Sequence, residues 1–478
     1  MSKSADWVAN QMPVAEIAIP HVALPVTIGK LANFPRDAVG CMKQLHAEHG
    51  PIAALREGDQ QIVFIFDPEF NHEVLSQPQL YHSRFFALRG PRNSSQRRLT
   101  SGLLSMNEDQ HRRHRRMIMG PFQKRSFDGY HDRIIQLAEE MLSTWQVGQV
   151  RNLHEDMAHF MLRVTSSMLF GFDVADLAFE IGDMLDEWVT MNHELGMGAL
   201  VSQDDFTGGY DRLLSFAQEL EARIRRMIDL RRQSSKQGDD VLSILLRSHD
   251  EQGGLSDEEL VGHTALLFGA AHMTTAHSLS WTLFLLAQHP AEMQRLAAEF
   301  SRELGGAVPR IEQLGQLDVL DSVIKESMRV LPASGYSQRI NHLPTRLGPF
   351  DLPRGTTIIF SQFITHHRAD LFPNPEHFQP ARWETISPSP YAYLPFAAGP
   401  RMCLGGPLAM QILKTVLPMI LQRFRLQVQE NAEINGQIIA TMLGPTSPIP
   451  MELHAPDGQF RRTSVQGNIH NLVCLQDA

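Results

Sequence analysis

The sequence predicts a mainly α protein with small β regions, and three observations carry that expectation. Apolar residues recur at helical spacing through 128–144, 153–170, 178–195, 211–232 and 318–330. The stretch 261–289 is hydrophobic nearly all round, as a helix at the centre of a large core is. Runs of β character are short and sit beside turn residues. The chain has 478 residues, room for up to three average domains, but no low-complexity linker or internal repeat divides it.

In chain order, residues 1–33 show neither the basic and apolar regions of a signal peptide nor an apolar run long enough to span a bilayer. The runs 52–57 and 61–66 flank Gly58-Asp59, a hairpin signal, and Pro68 opens a helix to 75. Residues 83–100 are polar and irregular, with Arg84, Arg89, Arg92, Arg97 and Arg98 interrupted by Phe85, Phe86 and Leu88. This segment reads as a solvated basic loop, or as one that meets an acidic group on a substrate or carrier. The helix expected at 107–119 puts His111 and Arg115 four apart on one face. A short helix is expected at 241–247. His272, Thr274, Thr275 and His277 break the apolar run of 261–289, so that helix is not read as transmembrane. Glu326 and Arg329 share a face of the helix 318–330. A strand-like run at 336–340 carries Arg339, a β-turn-β unit follows at 348–360, a helix at 404–424, and late strands at 426–428 and 449–453.

The net charge of −10 argues against wholesale nucleic-acid binding. Cys41, Cys403 and Cys474 are an odd count without metal-ligand spacing, which suggests a reducing compartment. Cys403 lies in Phe396-Ala-Ala-Gly-Pro-Arg-Met-Cys403-Leu-Gly405, just before the helix at 404–424. Backbone N–H groups at a helix start lack intrahelical partners and favour an anion, here a thiolate. Gly399 and Gly405 let a flat cofactor approach, and Arg401 can reach an anionic group on it. A lone cysteine beside a turn is more often structural. The spacing Phe396, Gly399, Arg401, Cys403, Gly405, however, matches F-x-x-G-x-R-x-C-x-G. In this the chain resembles the heme-thiolate monooxygenases, the cytochrome P-450 family. Ala270-Ala271-His272-Met273-Thr274-Thr275 is similar to that family's A-G-x-acid-T-T motif, and Glu326 with Arg329 to its E-x-x-R. Arg382 in Phe378-Gln-Pro-Ala-Arg382-Trp matches the third partner of the pair.

The resemblance implies a soluble, bacterial-type, triangular-prism fold over 51–456, led into by 1–50 and followed by an unassigned tail, 457–478. It implies heme b (iron protoporphyrin IX) ligated by Cys403, with propionates held by His111, Arg115, Arg339 and Arg401 and the loop shaped by Phe396 and Gly405. Thr274, Met273, Ala270 and Ala271 would form the oxygen-binding segment, and Phe85, Phe86, Leu88, Phe268, Ala333 and Met442 would line the substrate pocket. The activity implied is insertion of one atom of O2 into a small apolar or amphipathic molecule in specialised metabolism. Electrons would come from a ferredoxin or flavodoxin reductase system docking near Arg112, Arg113, Arg116 and Lys124. A cytoplasmic monomer without a membrane anchor is expected. One departure stands out. Met273 occupies the position of the family's acid, and no carboxylate occurs between Val261 and Pro290. Methionine carries no proton, so the usual acid–alcohol relay is incomplete. That leaves open a P-450-like isomerase or dehydratase needing no external reductant, and, beyond it, a non-enzymatic heme sensor or carrier.

Overall fold

A computed structural model describes residues 23–84, 88–171, 175–198, 207–234, 238–251 and 253–475. The chain is mainly α with small sheets, as its patterning predicts. Its axis is the helix Asp257–Gln288, four residues longer at the start than the apolar run suggests. Ser256 caps it: the Glu259 N–H donates to Ser256 Oγ (3.3 Å), and the Ser256 N–H donates back to Glu259 Oε2 (2.8 Å). Three acidic residues in the first turn suit the positive end of the helix dipole. The half from Thr275 to Gln288 is buried at every residue. The helix packs most extensively against Leu153–Phe170, which ends where Gly171 takes φ +74°. Among the described residues the other long helices are Ala38–His49, Glu108–Ile118, Lys124–Leu142, Ala175–Gly198, Thr207–Gln233, Pro290–Glu303, Asp318–Val330 and Gly406–Arg423.

The main sheet has six strands in the order Val26–Ile28, Ile52–Glu57, Gln60–Ile65, Thr357–Phe360, Ser337–Asn341, Tyr81–Ser83. The second and third form the expected hairpin around Gly58, at φ +57°. Ser337–Asn341 runs antiparallel to both of its neighbours, which places Arg339 opposite Ile358 and Ser83. Val26–Ile28 pairs with 54–56, so this early stretch is built into the sheet rather than leading up to it.

Three expectations change. The unit at 348–360 is a tight hairpin, Thr345–Leu347 with Phe350–Leu352, while Thr357–Phe360 departs to the main sheet. The basic segment 83–100 holds a short helix, Ser95–Leu99, and its Arg98 binds the buried Glu221 carboxylate at 2.6 Å. That arginine is structural rather than free for a substrate. The tail also has structure: Val465–Gln466 adds a strand beside Ala432–Glu433. Among the described residues no helix is long and apolar enough to cross a membrane.

Candidate functional site

Cys403 sits on a loop bent by backbone constraints. Gly399 takes φ +74°, and a Cβ there would overlap the Leu75 carbonyl. The Cys403 N–H donates to the Phe396 carbonyl (2.9 Å) and the Met402 N–H to that of Gly399 (3.0 Å). A Cβ on Gly406 would press the Phe396 ring at 3.1 Å. The Gly405 and Gly406 N–H groups aim at the sulfur, and with Arg115 they pull the thiol's pKa down. Burial is the larger effect, and the net shift is upward. The helix start alone therefore does not make this residue a thiolate, contrary to the expectation from spacing; a coordinated cation would. Cys403 is nevertheless accessible at its surface. A sulfur enclosed by protein yet accessible faces a void.

Three arginines from three elements converge beside it. Arg115, on Glu108–Ile118, donates to the Met402 carbonyl at 2.8 Å. Arg339, on the sheet, donates to the Gln338 carbonyl at 2.8 Å and lies over the Phe360 ring. Arg401 reaches the Leu104 carbonyl at 3.5 Å. Burial, then Arg339 and Arg115, push the Arg401 pKa down to about 9; burial alone pushes Arg339 to about 10. His111 is held neutral, its pKa pushed to about 3 by burial and then by Arg401, Arg115, Arg339 and Arg112. Among the described residues none of the three arginines has a carboxylate partner. Arg339 is buried and Arg115 and Arg401 are half-buried, and cations so placed are stabilised by an anion among them. The set fits a flat group carrying two carboxylates and a metal cation for the sulfur, which is what heme presents.

The helix bearing His111 and Arg115 is fixed by a directional chain. The Leu103 N–H donates to His263 Nδ1 (3.2 Å), so the neutral ring carries its proton on Nε2 and donates to His114 Nδ1 (2.9 Å). His114 Nε2 then faces Glu259 at 3.3 Å. No local pattern announces this relay, because His114 and His263 are 149 residues apart.

On the central helix Ala270 and Ala271 are exposed although the following turns are buried, so this segment also faces open space. Thr274 Oγ1 donates to the Ala270 carbonyl at 2.8 Å. Phe268, expected in the pocket, is instead fully buried, its ring near His272 and Gly182. Two residues before Ala270, it points to a different side of the helix. Phe85 and Phe86 lie outside the described residues. Leu88 packs on the core cluster beside this helix. Ala333 and Met442 come together: the Leu443 N–H donates to the Ala333 carbonyl (3.1 Å), and Met442 bridges to Ser334.

Glu326 and Arg329 are fully buried and bonded twice, at 2.8 and 2.9 Å. Arg382 Nε donates to Glu326 Oε1 at 2.9 Å. Sequence reasoning missed two further donors, the Gln379 N–H (2.9 Å) and Trp383 Nε1 (3.0 Å), although Trp383 directly follows Arg382. The arginines satisfy carbonyls of His366, Pro373, Pro375 and His377, an irregular segment with no ladder of its own.

His263, His277 and His366 are buried and held neutral, each pushed down to about 3 chiefly by burial. The unfolded chain takes up those protons near pH 6.5, the native fold only near 3. Stability is therefore complete above pH 6.5 and falls as pH drops toward 3, by about 1.4 kcal/mol per pH unit for each histidine. Thermal unfolding of the heme-loaded protein should show a steep loss between pH 6.5 and 5, and His277→Gln should make it shallower. A flat profile would contradict the assignment.

Comparison with known proteins agrees with this geometry. A family model described as cytochrome P450 matches residues 23–449. A cyclooctat-9-en-7-ol 5-monooxygenase of Streptomyces melanosporofaciens is 30% identical over 79% of the chain and 83% of its own length. A pentalenene oxygenase of Streptomyces avermitilis is 26% identical over 88% of the chain and 94% of its own. A crystal structure of the cytochrome P450DA heme domain superposes with a TM-score of 0.79 at 22% identity, covering 91% of this chain and 99% of that one.

Proposed function

The chain belongs to the cytochrome P450 family of heme-thiolate monooxygenases, and from that premise we propose which residues perform its reaction and on what. Cys403 would bind the iron through its sulfur, and Arg115, Arg339, Arg401 and His111 would hold the propionates of heme b. The observation that carries this is the convergence of three arginines without carboxylate partners beside an enclosed, accessible cysteine. When bound, the heme supplies one-electron chemistry and the activation of O2.

The chain's own residues do the rest. The arginines orient the ring by charge-assisted hydrogen bonds. His111, being neutral, adds a donor without adding to their repulsion. The small side chains of Ala270 and Ala271 leave room over the ring. Thr274, donating its O–H to the Ala270 carbonyl, keeps oxygen lone pairs free to accept a hydrogen bond from ordered water and so to position it. Met273 contributes no proton, so proton delivery rests on Thr274 and water. Thr274→Ala should lower product formed per NADPH by about tenfold and raise peroxide release in proportion, somewhat below the contribution of a fully positioned acid. Met273→Glu should raise that yield. Equal coupling in wild type and Thr274→Ala would remove Thr274 from the reaction.

The substrate is an apolar alkene or its monohydroxylated derivative. Support comes from the apolar character of Ala333, Met442 and Leu88, and from the alkene and alkenol in the names of the two Streptomyces relatives. A ferredoxin or flavodoxin system supplies electrons, docking on the exposed side of Glu108–Ile118. There Arg116 is exposed, and Arg112 is exposed in a pair with the equally exposed Asp109, whereas Arg113 is half-buried and held by Asp250 at 2.6 Å. Turnover of pentalenene with a surrogate ferredoxin, its reductase, NADPH and isotopically labelled dioxygen tests the reading. One labelled atom in the product is expected. Unlabelled product formed without NADPH would instead establish an isomerase or dehydratase.

A further inference from the structure

The C-terminal tail extends past residue 449, where the family match ends, and it is tied to the hairpin Gly436–Ile439/Met442–Pro445 that carries Met442. Opposite Gly436 in that hairpin stands Pro445, which has no N–H to donate. The tail's Asn468 provides what the ladder lacks. Its Oδ1 accepts the Gly436 N–H at 2.7 Å, and its Nδ2 donates to the Gly436 carbonyl at 3.0 Å. One side chain thus holds both polar groups of one residue. The neighbouring backbone is tied as well. The Ile434 N–H donates to the Gln466 carbonyl (2.9 Å), the Ile469 N–H to the Ile434 carbonyl (3.2 Å), and the Asn468 N–H to Asn435 Oδ1 (2.8 Å). Gly467 makes the close approach possible: it takes φ +101°, and a Cβ there would overlap the Ile434 carbonyl.

The two strands of the hairpin are anchored differently. The second is fixed by the central helix, since Trp281 Nε1 donates to the Leu443 carbonyl at 3.1 Å and Gly444 lies against the His277 ring. The first takes its polar contacts at Gly436 from the tail, and a Cβ on Gly436 would meet both Leu472 of the tail at 2.9 Å and Trp281 of the central helix at 3.1 Å. Among the described residues a cavity of about 1010 Å³ lies beside this junction, between Asp37–Lys43, Gly436–Ile438 and the tail. Ile438 is buried in the core from the other side, so there the strand is held by packing, and the tail adds the hydrogen bonds at Gly436.

We propose that the tail is a specificity element: Asn468, as a positioning residue, fixes the strand Gly436–Ile439, and through it the placement of Met442 and the room available to substrate. This rests on the reading of Met442 as a pocket residue. The hairpin transmits the constraint because Ile439 pairs directly with Met442, and because the Gly335 N–H holds the Thr441 carbonyl at the turn (2.8 Å). A loosened start of the first strand would leave that turn held by the second strand, by Gly335 and by the packing of Ile438.

The experiment compares heme-loaded wild type, Asn468→Ala and Asn468→Asp, the last keeping the acceptor for Gly436 N–H but not the donor. Hydrogen exchange of peptides covering 436–445 should accelerate about tenfold or more in Asn468→Ala, less in Asn468→Asp, with Asp257–Gln288 unchanged. Spectral titration should show affinity for bulky phenylimidazole shifted about threefold or more, while that for imidazole stays within about twofold. Unchanged exchange in 436–445 would overturn the clamp. Faster exchange with both affinities unchanged would overturn the link to the pocket and place the failure in the reading of Met442, while monooxygenation itself is judged separately by label incorporation. If Asn468→Ala does not retain heme, Asn468→Asp decides: acceleration supports the clamp, and none overturns it.

Discussion

Cys403→Ala abolishes the far-red-shifted carbon monoxide band of the reduced protein and takes monooxygenation below detection. The other two cysteines lie on other elements, Cys41 on the helix Ala38–His49 and Cys474 in the tail. The Cys41 thiol is moreover pushed up to about 11 by burial and by Asp37, which leaves it a poor ligand. Retention of the band would end the assignment of Cys403. The fold should survive the change, because Cys403 is accessible and the loop is held by backbone bonds at Phe396 and Gly399. Circular dichroism and unfolding midpoints separate loss of ligation from loss of structure.

Glu326→Ala acts on the fold itself. It leaves Arg329 fully buried and Arg382 nearly so, without their carboxylate, and removes the acceptor for Gln379 N–H and Trp383 Nε1. Breaking one partner of a buried pair costs about 3–5 kcal/mol. Against a total stability of roughly 5–15 kcal/mol, that is enough to prevent accumulation of folded protein. Glu326→Gln keeps the shape and one acceptor oxygen and should be less damaging. Soluble heme-loaded yield and denaturant midpoints order the two variants. A Glu326→Ala protein as stable as wild type would show that the arginines find other anions.

Much of this molecule was legible in its sequence where local signals were strong. Asp318–Val330 and Leu153–Phe170 fall where helical spacing places them, because each pairs a clear apolar face with a definite end. The central helix was read four residues short because its first turn, Asp257-Glu258-Glu259, is acidic and resembles a loop; the Ser256 cap explains those residues. Arg98 looked like part of a solvated basic run because its partner, Glu221, lies 123 residues away. The same limit hid the His114–His263 contact and the tail's strand, which has only two residues. Among the candidate site residues, Arg115, Arg339 and Arg401 could be named individually from motifs. That burial, and then the repulsion of Arg339 and Arg115, lowers the Arg401 pKa is a property of three elements meeting, and no spacing reports it. The sign of the Cys403 shift was misjudged for a similar reason: the helix start is visible in sequence, the burial opposing it is not.

The seat that Gly444 makes on the His277 ring bears on how this enzyme can change over evolutionary time. Any side chain at 444 would enter the imidazole, and any at 436 would strike Leu472 and Trp281. These two positions, on opposite strands, are closed to drift. Between them the turn is permissive: Ile439 is 44% exposed and Met442 only partly covered. Substitutions at 442 can therefore accumulate without loss of the fold, while their effects fall on the proposed pocket. A lineage built this way can sample new substrates by single steps at the tip of one hairpin, with its base unchanged.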